Sequence, residues 1–156
     1  MRLDRIDHAI LDHLQRDGRA TSAEVGAAAG LSPSPAHRRQ RLLEQAGLIR
    51  GYVALLDQDL VGLPVNVFVS VRLSAQTEEH LVAFEQAVSG LDEVMECYVM
   101  SGASDYLLRV VAPDLKAFEE LLRTKLTRIP GVQGVESAFA LKRIVYRTNL
   151  PLAGRG

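Results

Sequence analysis

Residues 30–49, GLSPSPAHRRQRLLEQAGLI, open with a glycine, then a serine whose hydroxyl can accept a bond from a free helical N–H. Pro33 and Pro35 follow, where the first turn of a helix has no intrahelical N–H bonds to lose. His37, Arg38, Arg39 and Arg41 come next, with no carboxylate before Glu44, and Gly47 supplies a left-handed stop. The stretch therefore predicts a short helix, capped at both ends, with a cationic N-terminal half. Such a helix suits insertion into a DNA major groove. A wet surface helix would show the same charge run, so its neighbours must decide.

Upstream, Asp4 predicts the cap of a helix running to about Arg16, with Asp7 complementing the positive helix end. Ile6, Ile10, Leu11 and Leu14 recur at spacings of three and four, which marks one buried face. Asp17-Gly18 ends that helix. Thr21-Ser22-Ala23-Glu24 reads as a capping box, and Val25, Ala28 and Ala29 are small enough for close helix contact. Gly30 and Leu31 then make the short turn of a helix-turn-helix. Up to residue 50 the chain carries eight arginines against six carboxylates; beyond it, ten Lys/Arg face thirteen Asp/Glu. Arginine has the planar fork suited to phosphates and guanine edges, so the excess is of the right kind though small.

Downstream, Gly51–Leu56 is apolar and partly β-branched, a predicted strand joining two halves. After Pro64, VNVFVSVRL (Val65–Leu73) alternates with period two, again a strand. Thr77–Gly90 returns to helical spacing through Leu81, Phe84 and Val88. Val94–Ser101 and Tyr106–Ala112 are strand-like and separated by Gly102-Ala103-Ser104-Asp105. Asp114 caps another helix bearing Leu115, Phe118, Leu121, Leu122 and Leu126, closed by Pro130-Gly131, and a last β-rich run reaches about Tyr146. The expected class is α+β: a helix-turn-helix domain (1–50), a tether strand and linker (51–63), a ferredoxin-like βαββαβ domain (64–150) and a tail (151–156). Apolar residues on both faces of Val65–Leu73 predict that the sheet's open face meets a second copy of the chain.

Leu3-Asp4, Asp7, Ile10-Leu11, Asp17-Gly18-Arg19, Leu31 to Pro35, Arg39, Leu43-Glu44 and Gly47-Leu48-Ile49 together resemble the N-terminal signature of the Lrp/AsnC (feast/famine) regulators. Arg50 to Asp57, then Leu60 and Gly62, resemble that family's tether strand, and the match runs from Leu3 to about Leu152. Gln40 departs from a usual aliphatic residue and Leu42 from a common basic one. The resemblance implies a winged-helix-like DNA-binding domain, an ACT-like (RAM) domain that drives dimers and octamers, and an amino acid as effector. For DNA, Ser34, His37, Arg38 and Arg41 are expected to face the groove, with Ser32 and the helix-start N–H groups on phosphate. Arg39 shares a side with Leu43, which predicts a structural role. Backbone donors of the Gly102–Asp105 turn suit a carboxylate and Asp105 an ammonium, although such a turn also serves as a plain hairpin. The resemblance places the effector there through Gly102 and Asp105, with Met100, Ser104, Tyr106 and Ser137 as further lining, Ser137 from a neighbouring copy.

Cys97, alone, supports neither a disulfide framework nor a zinc cluster, which fits a reducing compartment. No run of 18 apolar residues and no signal-peptide core is present, so a cytoplasmic location without membrane partners is expected. His8 and His13 are five apart, not the four of a metal-binding helix face, and no phosphate-cradling glycine loop occurs. No cofactor, metal site or catalysis is expected. Two other readings remain open: an architectural DNA-wrapping protein without effector, and an enzyme like the sirohaem decarboxylases, whose two-domain chain is similar. The latter needs clustered histidines and arginines in the second domain, where His80 is the single histidine.

Overall fold

Asp4 starts the first helix, α1 (Arg5–Arg16), through a reciprocal pair: its carboxylate accepts the Asp7 N–H at 2.8 Å and the Asp7 carboxylate accepts the Asp4 N–H at 3.0 Å. Thr21 and Glu24 repeat the device at the head of α2 (Ser22–Ala29), with the Thr21 N–H donating to Glu24 Oε2 at 2.7 Å. Gly30 then takes a left-handed φ of 70°, and the Leu31 N–H returns to the Gly26 carbonyl at 2.8 Å. The third helix, α3, spans Pro33–Gln45. Ile10, Leu11, Leu14, Val25, Ala36 and Leu43 form the shared core of the three helices. These features belong to a computed structural model that describes residues 2–152.

The chain divides into two units: the stretch up to Leu55 together with the chain from Val145 onward, and Leu56–Ile144. The segment from Val145 thus groups with the helical unit. Gln15 is the reason. Its Oε1 accepts the Leu150 N–H at 2.6 Å and its Nε2 donates to the Leu150 carbonyl at 3.3 Å, while Leu152 packs against the helical core. Two exposed hydrogen bonds of this kind contribute about 1 kcal/mol together. Gln15→Ala is therefore expected to lower the unfolding midpoint of the helical unit by a few degrees, as read by circular dichroism.

The second unit runs β1 (Val65–Leu73), α4 (Glu78–Ser89), β2 (Val94–Val99), β3 (Tyr106–Ala112), α5 (Leu115–Thr124), a 3-10 turn (Leu126–Arg128) and β4 (Val132–Phe139). The sheet order is β2-β3-β1-β4, with every neighbouring pair antiparallel. This is the expected α+β arrangement. Val67, Val69, Val71 and Leu73 point from β1 into a core completed by Phe84, Leu108, Phe118 and Leu121. The alternation places these apolar residues on one face only. Asn66, Phe68, Ser70 and Arg72 occupy the other, which is mixed in character: Phe68 and Tyr98 are exposed beside an Arg109–Glu96 ion pair at 3.5 Å. The expectation of two apolar faces on β1 is corrected to that extent.

One predicted strand does not form in the single chain and another stops short. Gly51–Leu56 carries no ladder, and the last strand ends at Phe139 rather than near Tyr146. Both segments hold strand-favouring residues, with Val53 84 % and Leu141 96 % exposed. β-propensity is realised only against a neighbour that takes the backbone bonds, and among the described residues neither run is part of a ladder.

Candidate nucleic-acid interface and sensor loop

Helix α3 is sorted by its spacing. Ala36 and Leu43 are fully buried against the helical core. Arg39, on the same side, donates from Nη1 to Asp4 Oδ2 at 2.8 Å and to Asp7 Oδ1 at 2.7 Å, tying α3 to the start of α1. Both carboxylates favour the charged guanidinium and raise its pKa, that of Asp7 most strongly. Arg39 is thus structural, as its spacing predicted. Ser34, His37, Arg38 and Arg41 are separated by three, one and three residues, share the opposite side of α3, and are all exposed. Among the described residues neither Arg38 nor Arg41 is paired with a carboxylate. The cationic stripe is open to a polyanion.

Ser32 occupies the N-cap position but its side chain makes no capping bond, which corrects the sequence expectation. Pro33 and Pro35 also remove two N–H groups from the first turn, so phosphate donors at this end are narrowed to Ser32 and Ser34. The hydroxyl freed from capping is left exposed for an outside acceptor. Ser22, at the head of α2, brings its Oγ to 3.5 Å from His37 Nδ1. No local signal marked Ser22 beyond its place in a capping box. Gln40 finds a partner that the sequence did not reveal, as its Nε2 donates to the Tyr52 hydroxyl at 2.8 Å. Leu42 is half exposed at the edge of the stripe.

The caps make this unit acid-sensitive. The Asp7 N–H, followed by Arg39, holds the Asp4 carboxyl below its ordinary range; the Thr21 N–H and hydroxyl do the same for Glu24. Groups depressed in the folded state stabilise fully above the unfolded carboxylate range, about pH 4, and lose that contribution as pH falls through their lower folded values. The helical unit is expected to lose stability on acidification below about pH 4. Asp4→Asn with Glu24→Gln should flatten that dependence in a pH titration followed by circular dichroism.

The second candidate site is the turn between β2 and β3. The Met100 N–H donates to the Asp105 carbonyl at 2.9 Å and closes the hairpin, and Gly102 takes a φ of 120° that glycine alone adopts freely. Asp105 is a staple. Its N–H donates to the Val71 carbonyl at 2.9 Å, its Oδ2 accepts the Leu73 N–H at 2.7 Å, and its Oδ1 accepts Gln76 Nε2 at 2.6 Å. These bonds fix the loop to β1 where the β1–β4 register shifts at Arg72/Leu73. The carboxylate expected to hold an ammonium is therefore already committed on both oxygens, one bond each. Gln76 is a loop residue that the sequence reading missed.

Among the described residues, the N–H groups of Ser101, Gly102, Ala103 and Ser104 have no partner, which leaves a small donor cluster on an exposed turn. Met100 is half exposed beside it. Tyr106 is not part of this surface: it is buried, its ring lies 4.5 Å from that of Phe84, and its hydroxyl donates to Glu85 Oε1 at 2.8 Å. Burial, then the bond to Glu85, pushes its phenol upward. Ser137, on β4, pairs with Val69 of β1, and β1 and β3 stand between it and β2, so one chain does not bring it to Gly102.

Among the described residues no helix is long and apolar enough to cross a membrane. The AsnC-type helix-turn-helix domain matches residues 3–44, and the Lrp/AsnC ligand binding domain matches residues 66–150. The Bkd operon transcriptional regulator of Pseudomonas aeruginosa is 45 % identical over 150 residues, covering 96 % of this chain and 98 % of its own. The leucine-responsive regulatory protein of Escherichia coli is 38 % identical over 153 residues, 98 % of this chain and 93 % of its own. A transcriptional regulator from Neisseria meningitidis, solved as a complex with L-Met, superimposes with a TM-score of 0.93 at 38 % identity, covering 97 % and 98 % of the two chains.

Proposed function

Because the chain belongs to the Lrp/AsnC family of transcriptional regulators, we propose that it reads a defined duplex sequence through α3 and answers to a free amino acid at the β2–β3 turn. The open stripe of Ser34, His37, Arg38 and Arg41 carries the first half of this reading. Arg38 and Arg41 supply phosphate or guanine contacts, His37 and Ser34 shorter-range bonds, and Ser32 a phosphate contact at the helix start. For the second half, the donor cluster of Ser101–Ser104 suits the carboxylate of an amino acid, with Met100 beside it for an apolar side chain. Asp105 and Gln76 shape the turn, and a remaining lone pair of Asp105 is an acceptor for the ammonium. The Neisseria relative's complex with L-Met supports an amino acid as the class of effector. Ser137 joins such a site only from another copy.

The functional form is a homodimer, and an octamer is its higher assembly. The runs at 51–56 and 141–146, exposed and in no strand among the described residues, support this, together with Phe68 and Tyr98 on the open sheet face. Two copies of α3 about one helical turn apart, roughly 34 Å, would read a pseudo-palindrome. An effector shifts this system only by binding two arrangements of the assembly unequally. No reaction is assigned to the chain, in keeping with relatives named as regulators.

Calorimetry against the twenty amino acids separates this reading from that of an architectural DNA-wrapping protein. Saturable heat from at least one amino acid is expected, and a blank across the panel would remove the effector. Sedimentation at micromolar concentration should give a dimer or larger, and a monomer would contradict the assembly.

A further inference from the structure

Tyr52 lies three residues beyond Ile49, on the segment that leaves the helices, yet its side chain turns back onto α3. The hydroxyl donates to Glu44 Oε1 at 2.9 Å and accepts from Gln40 Nε2 at 2.8 Å, and the Gln40 amide also reaches Glu44 Oε1 at 3.2 Å. The three side chains close a triangle of hydrogen bonds. The ring lies over Gly18, where an added Cβ would stand 3.3 Å from Tyr52 Cδ1. One phenol therefore bridges the α1–α2 turn and the C-terminal half of α3.

Gln40 and Glu44 are one turn apart on α3, and Gln40 sits between Arg39, which is tied to α1, and Arg41, which is exposed. Leu43 and the Arg39 clamp hold α3 along one line. A helix held along one line still has freedom to roll about it, and a second, directional anchor removes that freedom. An aliphatic residue at 40 would leave the Tyr52 hydroxyl with Glu44 alone. Burial, then the bond to Glu44, raises the phenol above its ordinary value.

We propose that Tyr52 is a positioning residue for the duplex-reading face: with Gln40 and Glu44 it fixes the roll of α3, and it couples that roll to the path of the linker leading to the second unit. This rests on α3 being the reading element. The groups that touch duplex are on the exposed stripe, and Tyr52 acts through the helix that carries them. Because roll changes which base edges Ser34, His37, Arg38 and Arg41 meet while leaving their charge near the phosphates, its loss degrades discrimination more than attraction.

The test uses the full-length protein and two duplexes: one selected by the wild type from a random library, and its scrambled counterpart. Affinities are read by fluorescence anisotropy across a range of NaCl. Tyr52→Phe keeps the ring over Gly18 and removes the hydroxyl. It is expected to lose about tenfold of the preference for the selected duplex while its scrambled-duplex affinity and salt slope stay as in the wild type. Gln40→Leu should lose a similar factor, and the double variant no more than either alone, because both remove one linkage. Glu44→Gln keeps an acceptor oxygen and should retain most of the preference. An unchanged preference in Tyr52→Phe and Gln40→Leu, or an equal fall on both duplexes, overturns the positioning role while leaving α3 as reader. A wild type without any preference overturns the reading itself, and this proposal with it.

Discussion

Replacing Arg38 and Arg41 together by glutamate is expected to remove measurable duplex binding at physiological salt and to leave only weak binding at low salt. Both side chains are exposed, and among the described residues neither is paired with a carboxylate, so the substitution changes the surface field and little else. Each phosphate contact contributes about 0.9 to the slope of log affinity against log salt. A dimer losing two contacts from each copy should therefore show a slope shallower by about 3 to 4, with an affinity loss of at least about a hundredfold at low salt. The unfolding midpoint should move little, because Arg39, which ties α3 to α1, is untouched. Unaltered affinity at low salt would mean that another surface meets the duplex.

Gly26→Ala is expected to damage the helix-turn-helix itself. A Cβ at this position would stand 2.6 Å from the Leu31 carbonyl oxygen and 3.3 Å from Ser32 backbone atoms. The Leu31 N–H is bonded to the Gly26 carbonyl at 2.8 Å, so the turn cannot retreat without breaking that bond. Alanine gains up to about 1 kcal/mol of helix propensity over glycine. Forcing backbone apart in a packed core costs typically about 1–3 kcal/mol, and a contact as short as this one belongs at the upper end. The net is a loss of about 1–2 kcal/mol, read as a lower midpoint in thermal unfolding. The displaced segment is Leu31–Ser32, the entry to α3, so duplex affinity should fall as well. Full stability in Gly26→Ala would contradict the tight turn.

These two predictions also mark what the sequence made legible. The Asp4 cap, the Thr21–Glu24 capping box, the left-handed Gly47 and the alternation of Val65–Leu73 are local patterns, and each becomes the element it predicts. The exposed stripe and the inward Arg39 follow from helical period alone. What stayed hidden depends on partners far along the chain. Gln15 meets Leu150 and Gln40 meets Tyr52 through side-chain bonds that no periodicity encodes. Asp105 looked free for a ligand because its acceptor duty toward Leu73 and Gln76 exists only once β1 and β3 are paired. Tyr106, next to the turn, is buried because it opens β3 on the face it shares with Leu108 and Val110. The runs at 51–56 and 141–146 show the converse: their composition is that of strands, but a strand needs a paired neighbour, and among the described residues neither run joins a ladder.

The account stands on α3 as a sequence-specific reader held in pairs, and selection from a random duplex library by the full-length protein tests that most directly. Enrichment of a pseudo-palindrome whose half-sites lie about one helical turn apart is the expected result. Recovery of unenriched sequence, bound with the same affinity as the starting pool, would contradict it.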